Sequence, residues 1–284
     1  MGKTAAAIKL ARHLHCDIIN ADSRQIYRGI PICTAAPTPE ELAAARHHFV
    51  AFKDLEENYS AAQFESDVLA LLPSLWQQGD HAVMCGGSML YVDAVCHGID
   101  HLPDISPEVR NAIKEKLRNE GLGSLVKELE QLDPQYAATI DRKNTSRVCH
   151  GVEICRQAGV PYSSLRTGKA KQRDFKIIKL ALNIEREKLY DRINRRVDRM
   201  IAAGLEQEAR SVYHLRHLNS LNTVGLKEMF AMLDGTMDRH TAIERIKKNT
   251  RVYAKKQLTW YRRDPSIIWV SPDDAVSTAL QLIQ

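Results

Sequence analysis

The tripeptide Gly2-Lys3-Thr4 is the feature that most limits how this chain can fold. It matches the end of a phosphate-binding loop, G-x-x-x-x-G-K-[ST], and an Ala-rich segment with apolar residues at helical spacing follows at once. A helix that begins here presents unpaired backbone N–H groups and the positive end of its dipole to an anion. We therefore expect Gly2 and Lys3 to bind phosphate groups and the Thr4 hydroxyl to bind Mg²⁺.

The front half of this loop, and the strand that normally precedes it, are not in the sequence. On its own the tripeptide is weak support, because a chance match explains it equally well. We expect the native protein to carry roughly 15–20 further residues upstream, about one strand plus the loop. We also expect that the chain without them binds diphosphate less tightly.

Asp22 stands directly after residues 17–21, a short apolar run that is typical of a strand. A second run, residues 81–85, leads into Gly86-Gly87-Ser88 and another helical pattern. Ligands of open α/β sheets collect at the carboxyl ends of the strands. The sequence therefore predicts that a phosphate site and the Asp22 carboxylate face each other across one crevice.

Strand and helix patterns alternate in residues 1–100 and again in residues 175–284, which predicts an α/β core with a mostly parallel sheet. Residues 101–174 show helical patterns only, so we expect an all-helical insertion. Ser60 and Ser106 are typical helix N-caps. Residues 28–58 are expected to form a loop, because Pro31, Pro37 and Pro39 interrupt any regular pattern.

Composition excludes several classes of protein. With 44% apolar and 26% charged residues the chain can bury a core and is not disordered by composition, and its net charge of +5 is compatible with a nucleic-acid partner. The six scattered cysteines, without a C-x-x-C motif, favour a reduced, cytoplasmic protein without a zinc site. No apolar run approaches the ~20 residues of a membrane-spanning helix.

Several blocks of the sequence together resemble the tRNA dimethylallyltransferase (tRNA isopentenyltransferase) family, in the family's order and over nearly the whole chain. The blocks are Gly2-Lys3-Thr4, Ala21-Asp22-Ser23-Arg24-Gln25-Ile26-Tyr27, Thr34 with Pro37-Thr38, His47, Tyr59-Ser60-Ala61-Ala62-Gln63-Phe64, Gly86-Gly87-Ser88-Met89-Leu90-Tyr91, Arg186-Glu187 with Leu189-Tyr190-Asp191-Arg192-Ile193, Thr223-Val224-Gly225-Leu226-Lys227-Glu228 and Ala254-Lys255-Lys256-Gln257-Leu258-Thr259-Trp260.

The resemblance implies a P-loop NTPase-like core with a helical insertion that binds tRNA. It implies transfer of a dimethylallyl group from dimethylallyl diphosphate to N6 of adenosine 37, in tRNAs that read codons starting with U. Mg²⁺ would serve the diphosphate, the anticodon stem-loop would be the partner, and we expect a monomer.

The family's functional positions map onto this chain as follows. Asp22 would be the catalytic base, and Gly2, Lys3, Thr4 and Arg251 would bind the diphosphate. The tRNA contacts would be Asp22, Ser23, Arg24, Gln25, Ser88, Arg110, Ser146, Arg147, His150, Thr223, Gly225 and Lys227. The chain departs from the family at His150, where Arg is usual, and at Leu226, where Tyr is usual, so a bidentate contact and a stacking contact are in doubt at those positions.

These assignments suit the chemistry, because an adenine amine is a weak nucleophile and diphosphate leaves only if its developing charge is held. A carboxylate that takes the amine's proton contributes about 10²–10⁴-fold. Asp22 could instead cap the following turn or hold Mg²⁺, and Ser23, Arg24 and Gln25 could form no more than a polar turn. Arg110, Arg147 and His150 could lie on an ordinary solvated helix face, and His47 in a solvated loop.

Two rival functions stay open on the sequence alone. A small-molecule kinase could use the same phosphate loop, although a long helical insertion is more than a small substrate needs. An RNA-binding relic could have lost its diphosphate site together with its first strand.

Overall fold

A computed structural model describes residues 2–283. Contacts divide the chain into two compact units, one made of the chain up to Cys96 and again from Arg173 onward, the other of His97–Gln172. The first unit holds α1 (Lys3–Leu14), β1 (Ile18–Asn20), α2 (Pro31–Thr34), α3 (Pro39–Ala44), β2 (His47–His48), α4 (Ala61–Trp76), β3 (Val83–Cys85), α5 (Met89–His97, whose last residue belongs to the second unit), β4 (Lys179–Leu182), α11 (Arg186–Ala202), α12 (Leu205–Ser211), α13 (Leu226–Leu233), α14 (Arg239–Tyr261), β5 (Ile267–Val270) and α15 (Ala275–Ile283). The second unit holds α6 (Pro107–Glu120), α7 (Leu122–Leu132), α8 (Pro134–Thr139), α9 (Thr145–Ala158) and α10 (Tyr162–Leu165).

Helix α1 begins where the sequence predicts a phosphate-binding helix. Gly2 is its N-cap and has φ of 95°, a left-handed conformation that glycine adopts without strain. Ala7 and Ala11 form its buried face and pack against Ile18 of β1. Small side chains on this face let the helix approach the strand closely, and all three residues of β1 are buried.

The strands are parallel, as predicted, and they form two small sheets. In the first, the order is β2-β1-β3, and Ile18, Ile19 and Asn20 pair with Val83, Met84 and Cys85. In the second, β4 pairs with β5. The mixed α/β class is therefore confirmed, with β4 and β5 in a sheet separate from that of β1, β2 and β3.

The prediction of an irregular loop over residues 28–58 is wrong. Pro31 and Pro39 each occupy the first turn of a short helix, where the missing N–H of proline costs nothing. Thr38 caps the second of these helices, α3, in a capping box with Glu41, and β2 follows. Proline here starts helices rather than breaking them, which the sequence pattern alone did not distinguish.

Residues 205–221 form three short helical pieces. Helix α12 ends at Ser211, and 3₁₀ turns follow at Tyr213–Leu215 and Asn219–Leu221. Leu205, Leu221 and Leu226 are fully buried in the largest apolar cluster of the first unit. Burial of these leucines places the segment after Asn219 next to the residues that follow β1.

The second unit is all-helical and has its own core, in which Leu125, Leu129 and Val152 are buried. Asp133, itself fully buried, accepts hydrogen bonds from the Tyr136 N–H and from Ser163, and thereby joins α8 to α10. Throughout residues 2–283, no helix is both long and apolar enough to cross a membrane.

Candidate active site

The glycine pair that follows β3 lies against the end of β1. A Cβ atom at Gly86 would stand 2.0 Å from the carbonyl oxygen of Ala21, so only glycine fits. The Ala21 N–H donates to the Cys85 carbonyl, and its own carbonyl accepts from the Ser88 N–H. The two strand ends predicted to share one edge are therefore in direct contact.

Lys3 reaches this edge from the first turn of α1. Its Nζ donates to the Gly86 carbonyl at 3.1 Å. Burial lowers the pKa of the Lys3 ammonium, while the nearby Cys85 and Asp22 act in the opposite direction. The described part of the chain gives Lys3 no ion pair within 4.0 Å, so this desolvated cation is available to an anion.

Asp22 stands at the same place, with its two carboxylate oxygens in different environments. Oδ1 accepts the N–H groups of Arg24 at 3.0 Å and Gln25 at 3.4 Å. Oδ2 lies 3.2 Å from the position that a Cβ at Gly87 would occupy, and Lys3 Nζ lies 3.6 Å from that same position. Oδ1 thus caps the turn, which is the alternative role given for Asp22 above. Oδ2 lies beside Gly87 together with Lys3 Nζ, and we call this place beside Gly87 the notch.

The three polar residues after Asp22 direct their side chains into the protein. Ser23 donates its backbone N–H to Ser88 Oγ at 2.8 Å and accepts the Ser88 hydroxyl at 2.9 Å. The Arg24 guanidinium donates to the carbonyls of Asn219, Ser220 and Asn222. Gln25 Nε2 donates to two consecutive carbonyls, those of Thr34 and Ala35, at 3.0 and 2.9 Å. In this structure these groups fix the turn that carries Asp22.

Arg196 is a further candidate site residue, which the sequence did not indicate. Burial lowers the pKa of its guanidinium, and Asp22 is the strongest opposing influence. Among residues 2–283 it has no hydrogen-bond or ion-pair partner, although it stays charged at any ordinary pH. Its position in α11 could have indicated this. It stands three residues after buried Ile193 and one before buried Val197, at the edge of the apolar face of the helix.

Helix α14 contributes to the same notch from its middle. Tyr253 Oη and Gln257 Nε2 both donate to the Gly87 carbonyl, at 3.0 and 2.6 Å. Arg251 lies one turn away and donates to Asn194 Oδ1 at 2.6 Å. Trp260, near the end of α14, is 38% exposed and donates its indole N–H to Asp93 Oδ2.

The predicted turn at residues 223–227 directly follows the segment that Arg24 binds. Gly225 has φ of 103° and donates its N–H to Glu228 Oε2, and a Cβ there would stand 2.7 Å from Cys33 Sγ. Thr223 is half-buried and Lys227 exposed. Only glycine suits this position, which explains it structurally without a nucleic-acid contact.

The remaining predicted tRNA-binding residues belong to the second unit. Ser146, Arg147 and His150 are exposed in the first turns of α9, and Arg110 is half-exposed in α6. His47 is in β2, where its Nδ1 lies 2.8 Å from the Ala45 carbonyl. Among the described residues no cluster of three His, Cys, Asp or Glu side chains could hold a metal ion by itself.

Fold and site together define an enzyme of the phosphate-binding α/β class, in which a lysine at a helix N-terminus and a carboxylate at a strand end converge. The family described as IPP transferase matches residues 25–264. The chain therefore belongs to the IPP transferase family.

Individual relatives agree with this assignment. The tRNA dimethylallyltransferase 2 of Parabacteroides distasonis is 49% identical over all of this chain and 95% of its own length. The tRNA dimethylallyltransferase 1 of Phocaeicola vulgatus is 51% identical over 96% of this chain and 91% of its own. The solved tRNA isopentenylpyrophosphate transferase of Bacillus halodurans is 35% identical, with a TM-score of 0.71 over 99% of this chain and 91% of that one. A eukaryotic dimethylallyltransferase acting on tRNA is 23% identical, with a TM-score of 0.80 over 99% of this chain and 75% of that one, and shares the fold.

Proposed function

We propose that this protein transfers a dimethylallyl group from dimethylallyl diphosphate to N6 of adenosine 37 in tRNAs that read codons starting with U. The observation that carries the proposal is that Asp22 Oδ2 and Lys3 Nζ lie close together at Gly87, 3.2 and 3.6 Å from the position that a Cβ there would occupy. Transfer to an amine needs a proton acceptor and an anion-binding group within reach of one pocket. Names of relatives at 49–51% identity support the same activity.

Asp22 would act as the general base. Its Oδ1 is engaged by two backbone N–H groups, so the carboxylate is held in one orientation with Oδ2 toward the notch. The amine nitrogen would form the new bond to the allylic carbon as its proton passes to Oδ2. The bond from that carbon to the diphosphate oxygen breaks, and the departing oxygen carries away the electron pair.

Lys3 and Arg196 would hold the diphosphate, together with the N–H groups at the start of α1. Both cations are desolvated, and neither is neutralised by an ion pair among the described residues. Charges in such surroundings act more strongly on a developing anion than charges in water. Arg251 already binds Asn194, and we propose that it exchanges this contact for a phosphate oxygen.

A divalent ion, which we propose to be Mg²⁺, would neutralise part of the diphosphate charge when bound. Mg²⁺ usually takes one or two protein ligands and completes its shell with water and substrate phosphates. The Thr4 hydroxyl, on the first turn of α1 beside Lys3, suits that limited role.

The tRNA would enter as the anticodon stem-loop, with the target base unstacked into the notch. We propose that Arg110, Ser146, Arg147 and His150 of the helical unit bind the tRNA backbone, as do Thr223, Gly225 and Lys227. We also propose direct contacts to the target base from Ser23, Arg24, Gln25 and Ser88. These contacts require the present internal hydrogen bonds of these side chains to rearrange. A monomeric, cytoplasmic enzyme is the accompanying expectation.

Labelled dimethylallyl diphosphate with an anticodon stem-loop that carries adenosines at positions 36 and 37 tests the proposal. We expect label in the RNA, and none when the second adenosine is replaced by guanosine. ATP offered with nucleosides tests the kinase alternative, which none of the relatives described above supports. Binding of the stem-loop without any transfer would favour the relic, which likewise has no support among these relatives.

A further inference from the structure

Glu208 of α12 is a buried carboxylate outside the group of residues at the notch. It is 9% exposed, and its two carboxylate oxygens accept the N–H groups of Ile32 and Cys33, each at 2.7 Å. Burial raises the pKa of this carboxyl, while the two N–H groups act in the opposite direction. Within residues 2–283 no Lys, Arg or His side chain forms an ion pair with it. Burying a carboxylate without a cation is unfavourable, so its two hydrogen bonds require an explanation.

Both N–H groups belong to the first turn of α2. The N-cap residue of this helix, Ile30, is fully buried and has no side-chain acceptor to offer them. A serine or aspartate at the N-cap would satisfy such groups locally. Glu208 instead supplies the acceptors from 175 residues further along the chain. A local cap stabilises a helix wherever the helix lies, whereas an acceptor on another helix also fixes its position, so Glu208 binds α2 to α12.

The other end of α2 is bound to the turn that carries Asp22. The Gln25 amide nitrogen has two hydrogens, and it donates to the carbonyls of Thr34 and Ala35 at 3.0 and 2.9 Å. The backbone N–H of Gln25 donates to Asp22 Oδ1 at 3.4 Å. A shift of α2 would therefore move Gln25, and with it one of the two N–H groups that orient the Asp22 carboxylate.

A third contact of α2 lies at the turn that precedes α13. The Cys33 thiol donates to the Val224 carbonyl, with 3.4 Å between sulfur and oxygen. A Cβ at Gly225 would stand 2.7 Å from the same sulfur, so Cys33 fills the space that a side chain would take there. This weak thiol contact cannot replace the Glu208 carboxylate, which makes the two short hydrogen bonds at the start of α2.

We propose that Glu208 is a positioning residue for Asp22. Glu208 fixes α2, α2 fixes Gln25, and Gln25 helps to keep Oδ2 of Asp22 at the notch. This inference rests on the proposed transfer reaction, in which Oδ2 takes the proton of the amine. A base displaced by about 1 Å can cost about 10²-fold in rate. Because Glu208 contacts α2 rather than Asp22, its effect on the reaction passes through Gln25.

A double-mutant cycle of Glu208→Gln with Asp22→Asn separates positioning from a role in stability alone. Glutamine keeps the length of the side chain and one acceptor oxygen, but its NH₂ group cannot accept the second N–H of α2. With Asp22 present, we expect Glu208→Gln to lower kcat by about 10- to 100-fold. In the Asp22→Asn background we expect less than about a threefold loss, because a displaced asparagine has no base function to lose.

Glu206→Gln is the matched control on the same helix. Glu206 forms ion pairs with Arg210 and Arg239 and makes no contact with α2 among the described residues. This variant should keep the kcat of its parent in both backgrounds. Hydrogen exchange at the Gln25 amide, followed by NMR, gives a readout that does not depend on activity. The amide should exchange faster in Glu208→Gln and at the wild-type rate in Glu206→Gln.

Three results would overturn the inference: an unchanged kcat in Glu208→Gln, an equal loss in the two backgrounds, or unchanged exchange at the Gln25 amide. If Glu208→Gln does not fold, Glu208→Met replaces it in the same cycle, since methionine fills a similar volume and buries no charge. If the wild type itself transfers no label to the stem-loop RNA, the proposed function fails, and the inference fails with it. Normal transfer by the wild type together with any of the three results refutes the inference alone.

Discussion

Replacing Asp22 by asparagine separates the two tasks that the structure gives this side chain. Asparagine keeps Oδ1 as an acceptor for the Arg24 and Gln25 N–H groups, so the turn should survive. It places an amide in place of Oδ2, the oxygen that faces Gly87 and Lys3. Only the proton acceptor is lost. General-base catalysis contributes about 10²–10⁴-fold, which corresponds to ~2.7–5.4 kcal/mol of transition-state stabilisation.

The assay is steady-state transfer of labelled dimethylallyl to the stem-loop RNA. We expect kcat of Asp22→Asn to fall by about 10²–10⁴-fold, with little change in KM for RNA and in Tm. Asp22→Ala should lose the same activity and about 1 kcal/mol of stability besides, because the capping hydrogen bonds go too. Asp54→Asn, which removes an exposed ion pair with Arg28, is the matched control and should behave as wild type. If Asp22→Asn keeps more than roughly a tenth of the wild-type kcat, the base role is refuted.

Three further changes test the glycine turn, the anion-binding lysine and a half-buried ion pair of the first unit. Gly86→Ala should cost about 3 kcal/mol or more in urea unfolding, because its Cβ would meet the Ala21 carbonyl at 2.0 Å, and an unchanged midpoint would contradict that contact. Lys3→Met should weaken diphosphate binding by about 10- to 100-fold in calorimetry, the effect of one charge-assisted hydrogen bond, and undiminished affinity would remove Lys3 from the site. Burial raises the pKa of the Asp264 carboxyl, but hydrogen bonds from Lys179 and Ser266 outweigh this effect and lower the pKa to about 2. A depressed carboxyl pKa stabilises the fold above the ordinary value of 3.8 and loses that contribution as pH falls toward 2, so Asp264→Asn should flatten stability over this window, and parallel acid-unfolding curves would contradict it.

Local signals predicted much of the fold because they act within one turn of chain. The capping boxes at Ser60 and the cap at Ser106 involve residues three positions apart, and both helices begin as expected. Pro31 and Pro39 show the limit of such signals, since proline suits both a loop and the first turn of a helix. Ile30, directly before Pro31, is fully buried, which the local pattern does not reveal.

Lys3 and Asp22 of the candidate site could be predicted from the sequence, whereas Arg196 could not. Lys3 and Asp22 follow from motif and strand-end reasoning, and the structure brings them to one notch. Arg196 could not be recognised, because nothing near it in the sequence indicates that α11 carries it toward Asp22. Arg24 is predicted to contact the tRNA, and in this structure its guanidinium binds the carbonyls of Asn219 and Asn222, almost 200 residues away along the chain, a contact that no local pattern indicates.

The sequence by itself determined where helices such as α1, α4 and α6 begin, that the strands are parallel, and which helix presents its N-terminus to an anion. These properties depend on side-chain period, caps and glycine, all of which act over a few residues. Tertiary structure alone decided that the described strands form two sheets, and that Ser88 and Arg24 hold the turn that carries Asp22. Those contacts join residues far apart in the chain, and they form only because burying the apolar faces brings the elements together.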